Sequence, residues 1–190
     1  MSVSGEMPFK VGIHRRRDGI VEFRYANTFE RQDTEQNPRL LIAPSEGQVE
    51  LLLRMLRELN SPYSLMYVLL APHTDARPGR YLVSGLSEDE TRTLLLGFRT
   101  FFEGDARHHL WIASERDNAL LVYDQHNVIY AYGPIDQFSA ILAAQGLQQS
   151  KTEFPYPHTH HFRSSMNVYE DLLLREFDWQ WSPLLPEDEE

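Results

Sequence analysis

The sequence predicts a single α+β domain, in which an antiparallel sheet packs against about three helices. Its 190 residues, 42% of them hydrophobic and 12% aromatic, suffice for one full-sized core. Short segments with turn residues between them are typical of antiparallel strands. Longer segments repeat apolar residues at helical spacing. We predict a domain spanning residues 1–186, followed by a solvated acidic tail at 187–190.

Strands are predicted in both halves of the chain. "FKVGIHRRRDGIVEFRYA" predicts an N-terminal hairpin around the Asp18-Gly19 turn. In the C-terminal half, "HHLWIAS", "ALLVYD" and "VIYAYG" are separated by turn-forming residues and predict a three-stranded meander. The apolar run "SLMYVLLA" predicts a buried strand. By contrast, "TFERQDTEQNPR" is polar and contains a proline, which predicts a long loop.

Helices are predicted where capping residues precede apolar residues at three- and four-residue spacing. The predicted helices span about 45–60, 87–103 and 134–145, with a shorter one at 167–177. Ser87 and Glu90 have the spacing of a capping box, as do Ser45 and Gln48.

Composition excludes several classes of protein. The chain has no cysteine, so it has no disulfide, no thiolate nucleophile and no cysteine-ligated zinc. No apolar run is long enough to span a bilayer, and "MSVSGEMPFK" lacks the pattern of a signal peptide. We therefore expect a cytoplasmic protein without a membrane partner.

The charge of the chain is strongly negative. Its 28 acidic and 18 basic residues give a net charge of −10, and the acidic excess lies after residue 60. Binding to nucleic acid requires clustered cations, so no nucleic-acid partner is expected. The run Arg15-Arg16-Arg17 is better explained as solvated residues beside the hairpin turn. An acidic surface suits a basic protein partner, although it also serves solubility.

The clearest candidate metal ligands lie in "PYPHTHHFRS". If this stretch is extended, His158 and His160 project to the same side and His161 points away. Similar H-x-H pairs occur in cupins and metallohydrolases, but the further ligands that those families place nearby are missing. A divalent metal is the one cofactor that the sequence suggests. A third ligand could come from His108, His109, His126, Glu170 or Asp171. The alternative is that these histidines are loop residues or hydrogen-bonding partners.

The stretch "YDQHN" has two interpretations. Asp124 and His126 could act as a general base, because a carboxylate can orient an imidazole ring. Asp, His and Asn are also ordinary turn residues, and the turn is the favoured interpretation. No serine nucleophile motif, phosphate-binding loop or H-E-x-x-H motif is present. Catalytic residues are therefore not identified, and the sequence favours a protein that is not an enzyme.

The meander predicts a candidate binding surface. Alternation assigns one aliphatic face to the helices, formed by Leu110, Ile112, Leu120, Val122, Ile129 and Ala131. The opposite face and the adjacent turn present His109, Trp111, Tyr123, His126, Tyr130 and Tyr132. Such side chains are favoured at binding sites. We expect the tail region, with Phe154, Tyr156, Trp179 and Trp181, to cover this face, either fully or in part with a groove left open.

Three functions remain open. The favoured one is a small acidic protein-binding module, an inhibitor or immunity-type protein for a basic partner. It is similar in size and charge to bacterial immunity proteins, without any shared motif. The second is a metal-dependent enzyme or sensor that uses His158 and His160. The third is a small-molecule binding domain with an aromatic pocket.

Overall fold

The computed structural model describes residues 8–34 and 37–188, which form two sheets and five α-helices. The strands are β1 (Val11–Arg15), β2 (Gly19–Glu22), β3 (Thr28–Gln32), β4 (Arg39–Ala43), β5 (Tyr63–Leu69), β6 (Gly79–Leu86), β7 (His108–Ser114), β8 (Ala119–Tyr123), β9 (Ile129–Tyr132), β10 (Gln148–Gln149), β11 (Thr159–His160) and β12 (Gln180–Ser182). The helices are α1 (Gln48–Leu56), α2 (Glu88–Gly97), α3 (Arg99–Gly104), α4 (Ile135–Ala144) and α5 (Asn167–Glu176).

The larger sheet has nine strands in the order β10-β3-β4-β9-β8-β7-β5-β6-β12. Neighbouring strands are antiparallel except β10 and β3, so the sheet is mixed. The predicted meander is confirmed as β7-β8-β9 at its centre. The strand predicted from "SLMYVLLA" is confirmed as β5, which lies between β7 and β6.

The α+β class holds, but the predicted architecture of a small sheet against about three helices is wrong. Strands dominate the fold. The N-terminal hairpin forms, yet it does not join the meander: β1 and β2 belong to a separate three-stranded sheet with β11. These pairings link segments far apart in the chain, and the periodicity of one segment does not reveal its distant partner.

Several strands were missed, and β3 and β6 show why. The segment predicted as a long loop contains β3, in which only Phe29 is buried. Its edge is covered only by the two-residue β10, so polar residues are tolerated there and no alternating pattern results. The strand β6 is half-buried along most of its length and likewise lacks an alternating signal.

Of the two predicted capping boxes, one is confirmed and the other is wrong. The Ser87 hydroxyl accepts the N–H of Glu90 at 3.2 Å, and the Glu90 carboxylate accepts the N–H of Ser87 at 2.9 Å, which confirms this capping box. The predicted box at Ser45 does not form. The helix α1 begins after Gly47, whose φ of 74° suits glycine, and the Gln48 amide donates instead to Pro44 O.

The helices pack on one face of the nine-stranded sheet. The main core joins helix residues such as Leu52, Phe102 and Phe138 to strand residues such as Leu110 and Ile129. The opposite face contributes only a small second cluster, formed by Tyr25, Leu41, Ala43 and Val128. No helix in the described part of the chain is both long and apolar enough to cross a membrane.

The acidic chain end differs from the predicted solvated tail. Within a short 3₁₀ turn, Pro186–Asp188, the carboxylate of Asp188 is buried. It forms a bidentate ion pair with Arg80, with both N–O distances at 2.8 Å. The last two residues lie outside the described part of the chain.

Candidate metal centre and cleft

The open face of the sheet, opposite the helices, carries most of the predicted aromatic surface. Strand register aligns Trp111 with Val122 and Val122 with Tyr130, so the side chains of these three residues share this face. His109 and Tyr132 lie two residues along their strands from Trp111 and Tyr130 and therefore point the same way.

Tyr123 does not belong to this surface. It pairs with Leu110 and is fully buried in the main core, so its ring faces the helices. Leu120 and Val122, which were assigned to the helices, instead line the open face. The strand β8 is apolar at every position, so its sequence does not show which residues face the helices.

A cleft of about 1230 Å³ lies over the open face. Residues 154–161, which we call the covering segment, form one of its walls through Phe154, Tyr156 and His158. Of the two expected arrangements, full cover or partial cover with an open groove, the described residues form the second. Two residues expected in the cover lie elsewhere: Trp179 packs on the main core, and the indole N–H of Trp181 donates to Pro78 O.

Three histidines meet at one end of this cleft. His126 from the β8–β9 turn joins His158 and His160 of the covering segment, and we call these residues the histidine cluster. One ring nitrogen from each lies within 4.8 Å of the other two. Their ring centres are 4.8 to 5.3 Å apart. Three imidazoles on one tetrahedral zinc ion, with Zn–N bonds of about 2.0–2.1 Å, have ring centres about 5 Å apart.

Hydrogen bonds orient two of these rings. Nδ1 of His158 lies 2.9 Å from Pro155 O, and a carbonyl oxygen can only accept, so this nitrogen carries the proton. Nδ1 of His126 lies 2.9 Å from a carboxylate oxygen of Asp124, which favours the same tautomer. In the neutral form of either ring, Nε2 then has a free lone pair. Nε2 of His160 is buried and has no hydrogen-bond partner among the described residues. Histidine binds a metal ion through an unprotonated ring nitrogen, while the other ring nitrogen often donates a hydrogen bond.

Asp124 shapes the "YDQHN" turn and also contacts the His126 ring. One carboxylate oxygen accepts the backbone N–H groups of His126 and Val128, at 2.8 and 3.3 Å, and so shapes the turn. The other oxygen contacts the His126 ring. Burial by itself would raise the pKa of Asp124, but the hydrogen bond and charge of His126, together with His109 and Lys10, lower it overall. The carboxylate is therefore ionised and positions His126.

The electrostatics of His160 favour the neutral ring. Burial above all, followed by the neighbouring His126 and His158, lowers the pKa of His160 to about 4. Near neutral pH this ring therefore does not carry the proton that would exclude a metal ion.

The covering segment is held in place by strand pairing and by a buried ion cluster. Its strand β11 pairs with β1, and the N–H of His161 donates to Lys10 O at 2.8 Å. Just beyond it, the N–H of Arg163 donates to Asp105, and Arg163 O accepts a hydrogen bond from Arg107. As predicted, His161 points away from the histidine cluster, and its ring packs on Phe9.

The other four candidate third ligands lie outside the histidine cluster. His108 is buried on the helix side, among Tyr67, Phe101 and Phe102. Glu170 forms an ion pair with Arg107 at 2.6 Å, and Asp171 is an exposed residue of α5. His109 lines the cleft. Burial lowers the pKa of His109 to about 4, although the negative charge of Asp124 opposes this shift.

Lys10 is part of this region and was missed, since a single lysine just before the N-terminal strand carries no signal of burial. It is fully buried, its ammonium donates to Asp124 O at 3.1 Å, and it lies 3.9 Å from the centre of the Tyr123 ring. Burial lowers its pKa to about 7, although Asp124, Asp105 and Glu103 oppose the shift.

The buried Lys10 predicts a pH dependence of stability. Its pKa is about 7 in the fold, against an ordinary value of 10.5, so between these values the unfolded chain binds a proton that the folded protein does not. The free energy of unfolding should therefore rise by about 2 kcal/mol from pH 7 to pH 9. Lys10→Met should remove this rise. Urea denaturation of both proteins at several pH values measures it, and equal slopes would contradict the prediction.

Comparisons of the chain with protein-family models, with curated proteins and with solved structures found no match.

Proposed function

We propose that the protein binds a divalent transition metal ion, with zinc as the first candidate, through His126, His158 and His160, and that it acts as a metal-dependent enzyme in the adjoining cleft. The observation that carries this proposal is the convergence of three imidazoles whose ring nitrogens lie within 4.8 Å of one another, with the Nδ1 atoms of His126 and His158 already engaged. Imidazole ligands suit zinc, copper, iron and nickel, whereas magnesium and calcium prefer oxygen ligands.

The arrangement favours a catalytic centre over a purely structural one. Structural zinc sites have four protein ligands, whereas catalytic sites have three and keep a position for water or substrate. A zinc ion with three histidine ligands lowers the pKa of its bound water to about 7, which supplies a nucleophile for hydrolysis. His158 belongs to both the histidine cluster and the wall of the cleft, so a substrate in the cleft would lie beside a metal ion held by the cluster.

Metal titration of the untagged protein tests this proposal. After chelator treatment, the protein should bind one equivalent of zinc in calorimetry, and each of His126→Ala, His158→Ala and His160→Ala should weaken that binding. Loss of a group that only orients a ligand costs about 10–100-fold in affinity, so loss of a ligand should cost at least as much. Zinc should also accelerate the hydrolysis of 4-nitrophenyl acetate.

The matched control is His14→Ala, because His14 is an exposed histidine of the hairpin outside the histidine cluster. It should bind zinc as the unaltered protein does. Zinc binding that all three cluster variants retain, or no stoichiometric binding of zinc, iron, copper or nickel, would refute the metal centre.

A protein-binding module for a basic partner is the second candidate. It is favoured by aromatic side chains that stay exposed at the rim of the cleft, since Tyr156 is 95% exposed and Phe154 is 41% exposed. Together with the negative charge of the chain, such residues suit a protein interface. Binding of a basic protein that weakens with salt and with Tyr156→Ala, but not with removal of zinc, would support this candidate instead.

A further inference from the structure

The cleft contains an arginine whose position is fixed by neutral neighbours. Nε of Arg39 donates to the Gln32 side chain at 2.9 Å, and one terminal nitrogen donates to the Tyr132 hydroxyl at 3.0 Å. The guanidinium carbon lies 4.6 Å from the centre of the Tyr130 ring. Three contacts thus hold a side chain that is usually mobile on a protein surface.

None of these contacts neutralises the charge of Arg39. Among the described residues, its partners are an amide, a hydroxyl and an aromatic ring, and none of them is a carboxylate. A guanidinium has five N–H groups, of which two are engaged here, so three remain for another partner. The planar fork of these donors matches the two oxygens of a carboxylate or a phosphate. In a chain with 28 acidic residues, a positioned arginine without an acidic partner in the described part of the chain indicates a binding role.

Strand register places Arg39 and the histidine cluster at opposite ends of the cleft. Leu40 pairs with Ala131, so Arg39 lies beside Tyr132, which in turn pairs with Leu120. Asp124, the partner of His126, lies four residues further along the chain than Leu120, about 13 Å away in an extended strand. Between the two ends, the floor of the cleft is apolar, formed by Leu120, Val122, Trp111 and the Tyr130 ring.

We propose that the cleft binds a small molecule with an oxyanion at one end, a carboxylate or a phosphate, which Arg39 holds while a flat apolar body lies on the floor of the cleft. Its opposite end then lies beside the histidine cluster, where the metal would act on it. Only this last placement rests on the proposed function. Arg39 thus determines specificity for anionic substrates, and the distance to the histidine cluster selects molecules about two aromatic rings long.

Three probes that share a biphenyl body test this proposal: biphenyl-4-carboxylate, biphenyl-4-yl phosphate and the neutral biphenyl-4-carboxamide. Calorimetry with the metal-free protein should show that at least one anion binds at least tenfold more tightly than the carboxamide. The tighter of the two anions identifies carboxylate or phosphate as the natural group. Arg39→Gln should remove this preference and leave the affinity for the carboxamide unchanged.

The matched control is Arg31→Gln, on the neighbouring strand β3, because Arg31 is exposed and already contacts Asp33 and Asp136. It should keep the preference for anions. If Arg39→Gln fails to fold, Tyr132→Phe, which removes the hydroxyl that positions Arg39, should reduce the preference severalfold instead.

Equal binding of all three probes, binding of none of them, or a preference that survives Arg39→Gln would overturn the proposal. Because the probes are tested without metal, a failure of zinc binding leaves this result interpretable. A failure of the anion preference likewise leaves the zinc titration intact.

Discussion

Asp124→Asn is expected to weaken zinc binding by about 10–100-fold, the usual effect of removing a group that orients a metal-binding histidine. An asparagine can still accept the backbone N–H groups of His126 and Val128, so the turn should persist. Its amide N–H₂, however, would face Nδ1 of His126 where a carboxylate oxygen now lies. That contact favours the tautomer with the proton on Nε2, which removes the lone pair needed by the metal. Competition with a zinc indicator measures the change.

The control for this substitution is Asp117→Asn. Asp117 is also a turn carboxylate that accepts a backbone N–H, from Asn60 at 2.6 Å, but it does not contact the histidine cluster. Its replacement should leave the zinc affinity unchanged. If Asp124→Asn binds zinc as tightly as the control, the carboxylate does not orient His126 for metal binding.

Arg107→Met is expected to lower the free energy of unfolding by about 3–5 kcal/mol, because it breaks a buried ion cluster by removing the cation that both of its carboxylates contact. The side chains of Arg107, Asp105 and Glu170 are completely buried. The guanidinium donates to Asp105 at 2.8 and 2.9 Å and to Glu170 at 2.6 Å. Without it, two buried carboxylates lose their counter-charge. Urea denaturation at neutral pH measures the loss.

A second substitution tests this explanation. Glu170→Gln removes one of the two uncompensated charges, so the double variant with Arg107→Met should lose less stability than the sum of the two single variants. Arg116→Met, at an exposed position in the β7–β8 turn, is the control and should change stability little. Strict additivity of Arg107→Met and Glu170→Gln would contradict the coupling.

This ion cluster also connects the stability of the fold to the candidate metal centre. It joins the residues just before β7 to Arg163 and to α5, and so holds the chain that follows the covering segment. The Arg107→Met variant should therefore also bind zinc more weakly, because the positions of His158 and His160 depend on this anchor. The arrangement of the histidine cluster is thus supported by a buried ion cluster that holds the chain beyond it.

Local elements could be predicted from the sequence where turn residues and apolar spacing agree. The Asp18-Gly19 hairpin, the meander and the Ser87–Glu90 capping box all depend on residues close together in the chain. Prediction failed where local patterns are uninformative. Strand β3 has one buried residue, and β8 is apolar on both faces, so neither shows a clear alternation. The placement of Tyr123 was wrong for this reason.

The sequence by itself determined which side chains are available for chemistry, the absence of cysteine and the same-side projection of His158 and His160. Only the tertiary structure decided that His126 is the third member of the histidine cluster, among five candidates. It also placed Arg39 at the far end of the same cleft. The physical reason is that the site depends on contacts between segments far apart in the chain. For example, pairing of β1 with β11 joins Val11 to His160. Such contacts depend on packing and on buried ion pairs, which the pattern of one segment does not encode.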